Sequence, residues 1–240
     1  GGAGEQQASS QLVYKQLERI LLAHVEAAIQ HFDTALAPEL DRQMSQAASD
    51  NLRGQFIDAA TVLRQRRTQL RKNFIQHVVQ GVRLQPADTT SQPATGELAL
   101  VNKDEFEDWL TLKVMITRAE TQYRRALLEL KMRLDASGVL RTGNETATGA
   151  GSGYNPLGPA LICFSFHDAL SELKLPIAVD RAVLKVFEAT VVKALEPLYD
   201  QLNGLLIRQG VLPKLDLRKY LAKEDKSVEE ELASKRAMDA

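Results

Sequence analysis

Ser165, His167 and Asp168 are the residue types of a hydrolytic triad, in which a hydroxyl attacks, an imidazole takes its proton and a carboxylate orients the ring. Their spacing argues against that chemistry, because residues two and three apart on a helix do not form a facing triad. Cys163, the only cysteine, lies in the same apolar run and reads as a small core residue rather than a reactive thiol. It also has no partner for an internal disulfide or a cysteine-only zinc site. Of the histidines, only His24 and His31 share a helix and a face. Two helical turns hold such residues about 10 Å apart, too far for a shared metal without further ligands, so no metal site is expected. Gly149, Gly151 and Gly153 resemble a phosphate loop only in composition, since no strand precedes them and no Lys-Ser or Lys-Thr follows.

The strongest charge feature is Arg64, Arg66, Arg67, Arg71 and Lys72. On one helix, Arg64, Arg67 and Arg71 fall on one side and offer a site for a phosphate-bearing ligand or an acidic partner. A solvated face paired with nearby carboxylates is the competing reading. The cluster lacks interleaved aromatics and any nucleic-acid reading motif, which disfavours nucleic acid.

The 240 residues suffice for one large domain or two small ones, and 44% hydrophobic with 25% charged residues is globular composition. A net charge of -1 gives no global pull toward nucleic acid or anionic membrane. Neither a membrane-spanning apolar run nor a secretion signal is present in the residues given, so a cytoplasmic protein is expected. The opening Gly1-Gly2-Ala3-Gly4 resembles a cloning remnant and is left out of the expected fold.

Helical periodicity supplies the framework. Val13, Leu17, Ile20, Leu21, Val25, Ala28, Ile29 and Phe32 recur at three and four residue steps, and Pro38 should break or bend this helix. Leu52, Phe56, Ala59, Leu63, Leu70, Phe74 and Val78 make a second helix ending near Gly81, pairing with the first as a helical hairpin over residues 5–84. Residues 85–97 have the composition of a linker, and residues 98–222 that of a second helical bundle.

Within this second half, Asn102 is an N-cap candidate with Glu105 as its capping-box partner. Asp104, Glu105, Glu107 and Asp108 favour the positive end of the helix dipole. One long helix should then carry Phe106, Trp109, Leu110, Leu112, Val114, Ile116 and Ala119 on to Gly138. After a flexible loop at 141–154, Pro159 starts a helix that stops before Pro176. A longer one spans about 180–209, kinked by Pro197 and closed by Gly210, and residues 223–240 form a charged tail. No strand alternation appears, so the expected fold is all-α, an elongated multi-helix bundle with long antiparallel helices.

The runs LALVNKD (98–104), FEDWLTLK (106–113), NPLGP (155–159), LYDQLN (198–203) and GVLP (210–213) resemble the bacterial DUF1631 family of domains of unknown function. The resemblance covers most of residues 10–220 in order and spacing. It implies structural motif roles for Trp109, Asn155, Pro156, Gly158, Pro159, Tyr199, Asn203, Gly210 and Pro213. It also implies a piece of a longer chain that continues into further helices and a small β-rich part resembling PilZ domains. Through that link it implies regulation by cyclic di-GMP in the full-length protein. Arg67 and Arg71 match the spacing of that domain's arginine pair, although inside a helix and without its companion pattern. Some members are labelled thymidine phosphorylase, whereas these residues offer neither a phosphate loop nor a mixed sheet.

The expected function is therefore a non-enzymatic helical scaffold or regulatory module that needs no cofactor and binds a protein partner or itself. A module binding cyclic di-GMP or another phosphate through Arg64, Arg67 and Arg71 is the alternative, and part of a nucleoside-processing enzyme the third reading.

Overall fold

A computed structural model describes residues 2–83, 103–139, 155–218, 220–222 and 230. Among the described residues there are eight α-helices and no strand: α1 (Gly2–Gln46), α2 (Asp50–Gln65), α3 (Arg67–Arg83), α4 (Lys103–Gln122), α5 (Arg124–Ser137), α6 (Pro159–Ser171), α7 (Ile177–Thr190) and α8 (Glu196–Arg208). The fold is all-α. No helix among these residues is long and apolar enough to cross a membrane.

Several helix boundaries differ from the periodicity reading. Helix α1 starts at Gly2, so Gly2 and Gly4 belong to it, and it runs unbroken through Pro38 to Gln46. Pro38 is exposed, so the carbonyl it leaves unbonded faces water, while Phe32 and Leu40 on either side are buried and keep the axis against the core. The second expected helix divides at Arg66 into α2 and α3, with Ser49 capping α2 by accepting from the Leu52 amide at 3.1 Å. Helix α3 ends at Arg83, two residues past Gly81 and near the expected end of the second helix. A Cβ on Gly81 would meet the end of the Leu161 side chain of α6, which would have to turn aside.

The helix expected up to Gly138 pauses at Tyr123, between α4 and α5, and ends as foreseen with Gly138 left-handed at φ 66. The expected 180–209 helix is likewise two helices, α7 and α8, with a 3-10 turn at Val192–Ala194 between them. Pro197 sits in the first turn of α8, where its lack of an N–H costs nothing, so it restarts a helix rather than kinking one. At the far end Gly210 has φ 76; its amide reaches Ile207 O and the Val211 amide reaches Leu206 O, a Schellman closure.

The two pauses meet. The Tyr123 hydroxyl donates to Val192 O at 2.8 Å and accepts from the Leu195 amide at 3.2 Å, satisfying two backbone groups that the broken helix leaves over. Tyr123→Phe is therefore expected to cost about 1–3 kcal/mol in chemical denaturation, because both groups are buried and water cannot replace the hydroxyl. A change below about 0.5 kcal/mol would show that the bridge is dispensable.

Helices from both sides of residues 84–102 share one core: α3 packs on α6, α1 on α7 and α8, and α4 on α6 and α7. At its centre Phe166 and Phe187 stack at 3.9 Å, and Phe32 and Phe74 meet Phe166 edge-on at 5.1 and 5.5 Å.

Candidate functional site

Helix α4 is apolar on two sides. Leu112, Met115, Ile116 and Ala119 face the core, and Phe106, Leu110 and Val114 lie on the opposite side at four-residue steps with Trp109 on the flank. The outer set is left in water: Phe106 is 53% exposed, Trp109 43%, Leu110 45% and Val114 42%. Phe106 stacks on Trp109 at 6.2 Å, and the Lys113 ammonium sits 5.8 Å from the indole centroid. Trp109, expected as a structural motif residue, is thus on the surface. One turn further along, an open groove of about 410 Å³ runs between Thr117, Thr121 and Gln122 of α4, Glu188 of α7, and Val192 and Lys193.

None of residues 103–111 is buried. Polar contacts attach this stretch to the body. Asp108 accepts from His167 Nε2 of α6 at 2.6 Å, and Arg181 of α7 donates to Glu107. Asp168 lies 3.7 Å from the other ring nitrogen, so His167 is flanked by two carboxylates. Asp168 contributes most to holding its pKa up, at about 9, and Asp108, with the short hydrogen bond, adds to it against the opposing effect of burial. Asp180 of α7 is raised to about 7 by burial and by repulsion from Asp108, with His167 opposing. Spacing along α6 could not reveal this cluster, since its key members come from α4 and α7.

Ser165, the nucleophile of the discounted triad, is buried in the α6 core face. Cys163 is fully buried, and burial pushes its thiol up to about 12. His24 donates from Nε2 to the Ala194 carbonyl at 2.9 Å, and burial lowers its pKa. His77 lies 3.1 Å from Glu172, and His31 is exposed. Among the described residues no group of three histidine, cysteine or acidic side chains is placed to hold a metal. The glycines 149, 151 and 153, Asn102 and the linker 85–97 lie outside the described residues.

The break at Arg66 separates Arg64, on α2, from Arg67 and Arg71, on α3, so the three no longer share one continuous helix. Arg67 pairs at 3.3 Å with Asp33, whose side chain is only 7% exposed. Arg64, Arg66 and Lys72 are exposed and Arg71 half-buried, and none of the four has an ion-pair partner among the described residues.

The remaining motif residues build turns and packing. Asn155 Oδ1 accepts from the Leu157 amide and Asn155 O from the Gly158 amide, both at 2.9 Å; this folds the turn that delivers Pro159 to the start of α6. Pro156 is buried, and a Cβ on Gly158 would press to 3.1 Å from Asn155 O. Tyr199 is fully buried against Tyr123, Asn203 donates to Ala126 O and Tyr199 O at 3.0 Å each, and Pro213 is exposed.

These features define an all-helical module with an apolar outer face on α4 and a charged cluster behind it. The chain belongs to the DUF1631 family: residues 9–210 match the model of its N-terminal domain, described as a protein of unknown function. No curated protein and no solved structure matches it.

Proposed function

We propose that this chain is a helical scaffold or regulatory module of a larger bacterial cytoplasmic protein, working without catalysis and docking a protein partner or a second copy on the outer face of α4. The carrying observation is that Phe106, Trp109, Leu110 and Val114 stand exposed together on a helix whose other side is already buried. Large apolar side chains grouped at helical spacing gain free energy when covered, about 1.5–3 kcal/mol for each fully buried one, and suit a second helix laid alongside.

A photo-crosslinking residue in place of Leu110 in the full-length protein is the direct test. Adducts should form there and be lost when Phe106→Glu is added, while the same probe at Lys72 gives none. Equal labelling at both positions, or none at Leu110, removes the reading. A second reading, receipt of cyclic di-GMP or another phosphate, draws support from Arg64 and Arg71, which flank the α2–α3 joint without an ion-pair partner among the described residues. Calorimetry with cyclic di-GMP separates the two, since only this reading expects heat that disappears in Arg64→Ala/Arg71→Ala.

A further inference from the structure

The start of α4 is attached differently from the rest of the helix. From Leu112 onward α4 is held by buried hydrocarbon, but residues 103–111 contribute no buried side chain and meet the body through Asp108–His167 and Glu107–Arg181. Beside His167 stand Asp108 on α4 and Asp168 on its own helix. Asp180 on α7, whose Oδ1 is buried without a hydrogen-bond partner among the described residues, interacts electrostatically with His167 and Asp108, and the Glu107–Arg181 pair joins the same α4 and α7. Glu172, one turn along α6, is turned away to Asn73 and His77 of α3. The Glu107–Arg181 pair is internally neutral, which leaves Asp108, Asp168 and Asp180 against a single imidazole.

We propose that Asp108, His167 and Asp180 form a proton-operated clasp that fixes the first turns of α4 while His167 is charged and Asp180 neutral, and frees them when both protons pass to solvent. The charge balance supplies the reason. With both protons bound, the Asp108 and Asp168 carboxylates face one imidazolium, an excess of one negative charge. Losing the Asp180 proton and then the His167 proton leaves three carboxylates around a neutral ring, in a partly buried site where like charges repel strongly. The same turns carry Phe106, Trp109 and Leu110, so the clasp governs how firmly that apolar face is presented.

Both groups bind their protons more tightly in the folded protein than in the unfolded chain. Their stabilising contributions are therefore complete at low pH and vanish as pH rises: for Asp180 between its ordinary 3.8 and about 7, and for His167 between its ordinary 6.5 and about 9.

Hydrogen exchange of the protein alone tests this, independently of any partner. After correction for intrinsic exchange, protection at residues 105–111 should fall roughly tenfold or more between about pH 6 and pH 10, while residues 112–119 keep theirs. Asp180→Asn, neutral at every pH, should delay the loss until His167 titrates. His167→Gln should weaken protection already near neutrality. Uniform loss along all of α4, or a profile the two variants leave unchanged, overturns the clasp. Should either variant fold poorly, the wild-type His167 imidazole followed by NMR decides: a midpoint well above the ordinary 6.5 supports it, and an ordinary midpoint refutes it.

Discussion

Truncating Phe166 to alanine is expected to lower the free energy of unfolding by about 3–5 kcal/mol, read as a drop in the urea midpoint with an unchanged slope. The ring is fully buried and touches three others at once, stacking on Phe187 at 3.9 Å and meeting Phe32 and Phe74 edge-on. These four rings come from α6, α7, α1 and α3, so the cavity left behind cannot close without moving two helix pairs. Dense interiors relax only partly, and edge-to-face contacts are lost along with the transferred area. A Phe166→Leu variant should recover a large part of the loss because it refills most of the volume. A cost below about 1.5 kcal/mol for the alanine variant would mean that the four rings are not the centre of the core.

The second large effect is expected at Arg133, a buried residue only 3% exposed. It donates to Asn203 Oδ1 at 2.8 Å, lies 3.3 Å from the Glu129 carboxylate and reaches the Leu212 carbonyl at 3.4 Å. It therefore ties α5 to α8 and to the Schellman closure after α8. Arg133→Met keeps the apolar stem and removes the charge, leaving the Asn203 amide oxygen without its donor; a loss of about 2–4 kcal/mol follows. Glu129 keeps partial access to water, which holds the cost below that of a fully stranded ion.

Adding Asn203→Leu separates a specific tie from general packing. The double variant should be more stable than the summed single losses foretell, with a coupling of at least about 1 kcal/mol. Strict additivity would show that Arg133 and Asn203 act separately.

Much of the fold was legible in the chain. The stripe from Leu17 to Phe32 and the seam from Phe56 to Val78 lie in the core as their spacing required, because a helix projects such positions to one side. Gly138, Pro159 and Gly210 mark ends and starts where their backbone preferences place them. Of the boundaries that moved, those at Pro38 and at the gap before α8 are places where distant packing outweighed a local rule, while Pro197 obeys its preference for a first helical turn. Pro38 stays in α1 because Leu40 beyond it is buried, and the gap before α8 persists because Tyr123, about seventy positions away, supplies its missing hydrogen bonds.

The candidate site was less legible. Phe106, Trp109, Leu110, Leu112, Val114 and Ile116 read as one apolar run, and a helix apolar on both sides does not say which side is buried. Only the placement of α6 and α7 against Leu112, Met115 and Ile116 leaves Phe106, Leu110 and Val114 outside. The arginine series shows the converse: even spacing suggested one basic face, but the break at Arg66 divides it and Asp33 of α1 engages Arg67.

By itself the sequence determined the all-helical class, its main apolar seams and the family, since these depend on short-range spacing and backbone preference. The tertiary structure alone decided which apolar face stays in water and which charges meet. The Asp108–His167 contact joins α4 to α6 and Asp180 of α7 interacts with both charges, and charges separated in the chain interact strongly only once packing gathers them where burial limits screening by water.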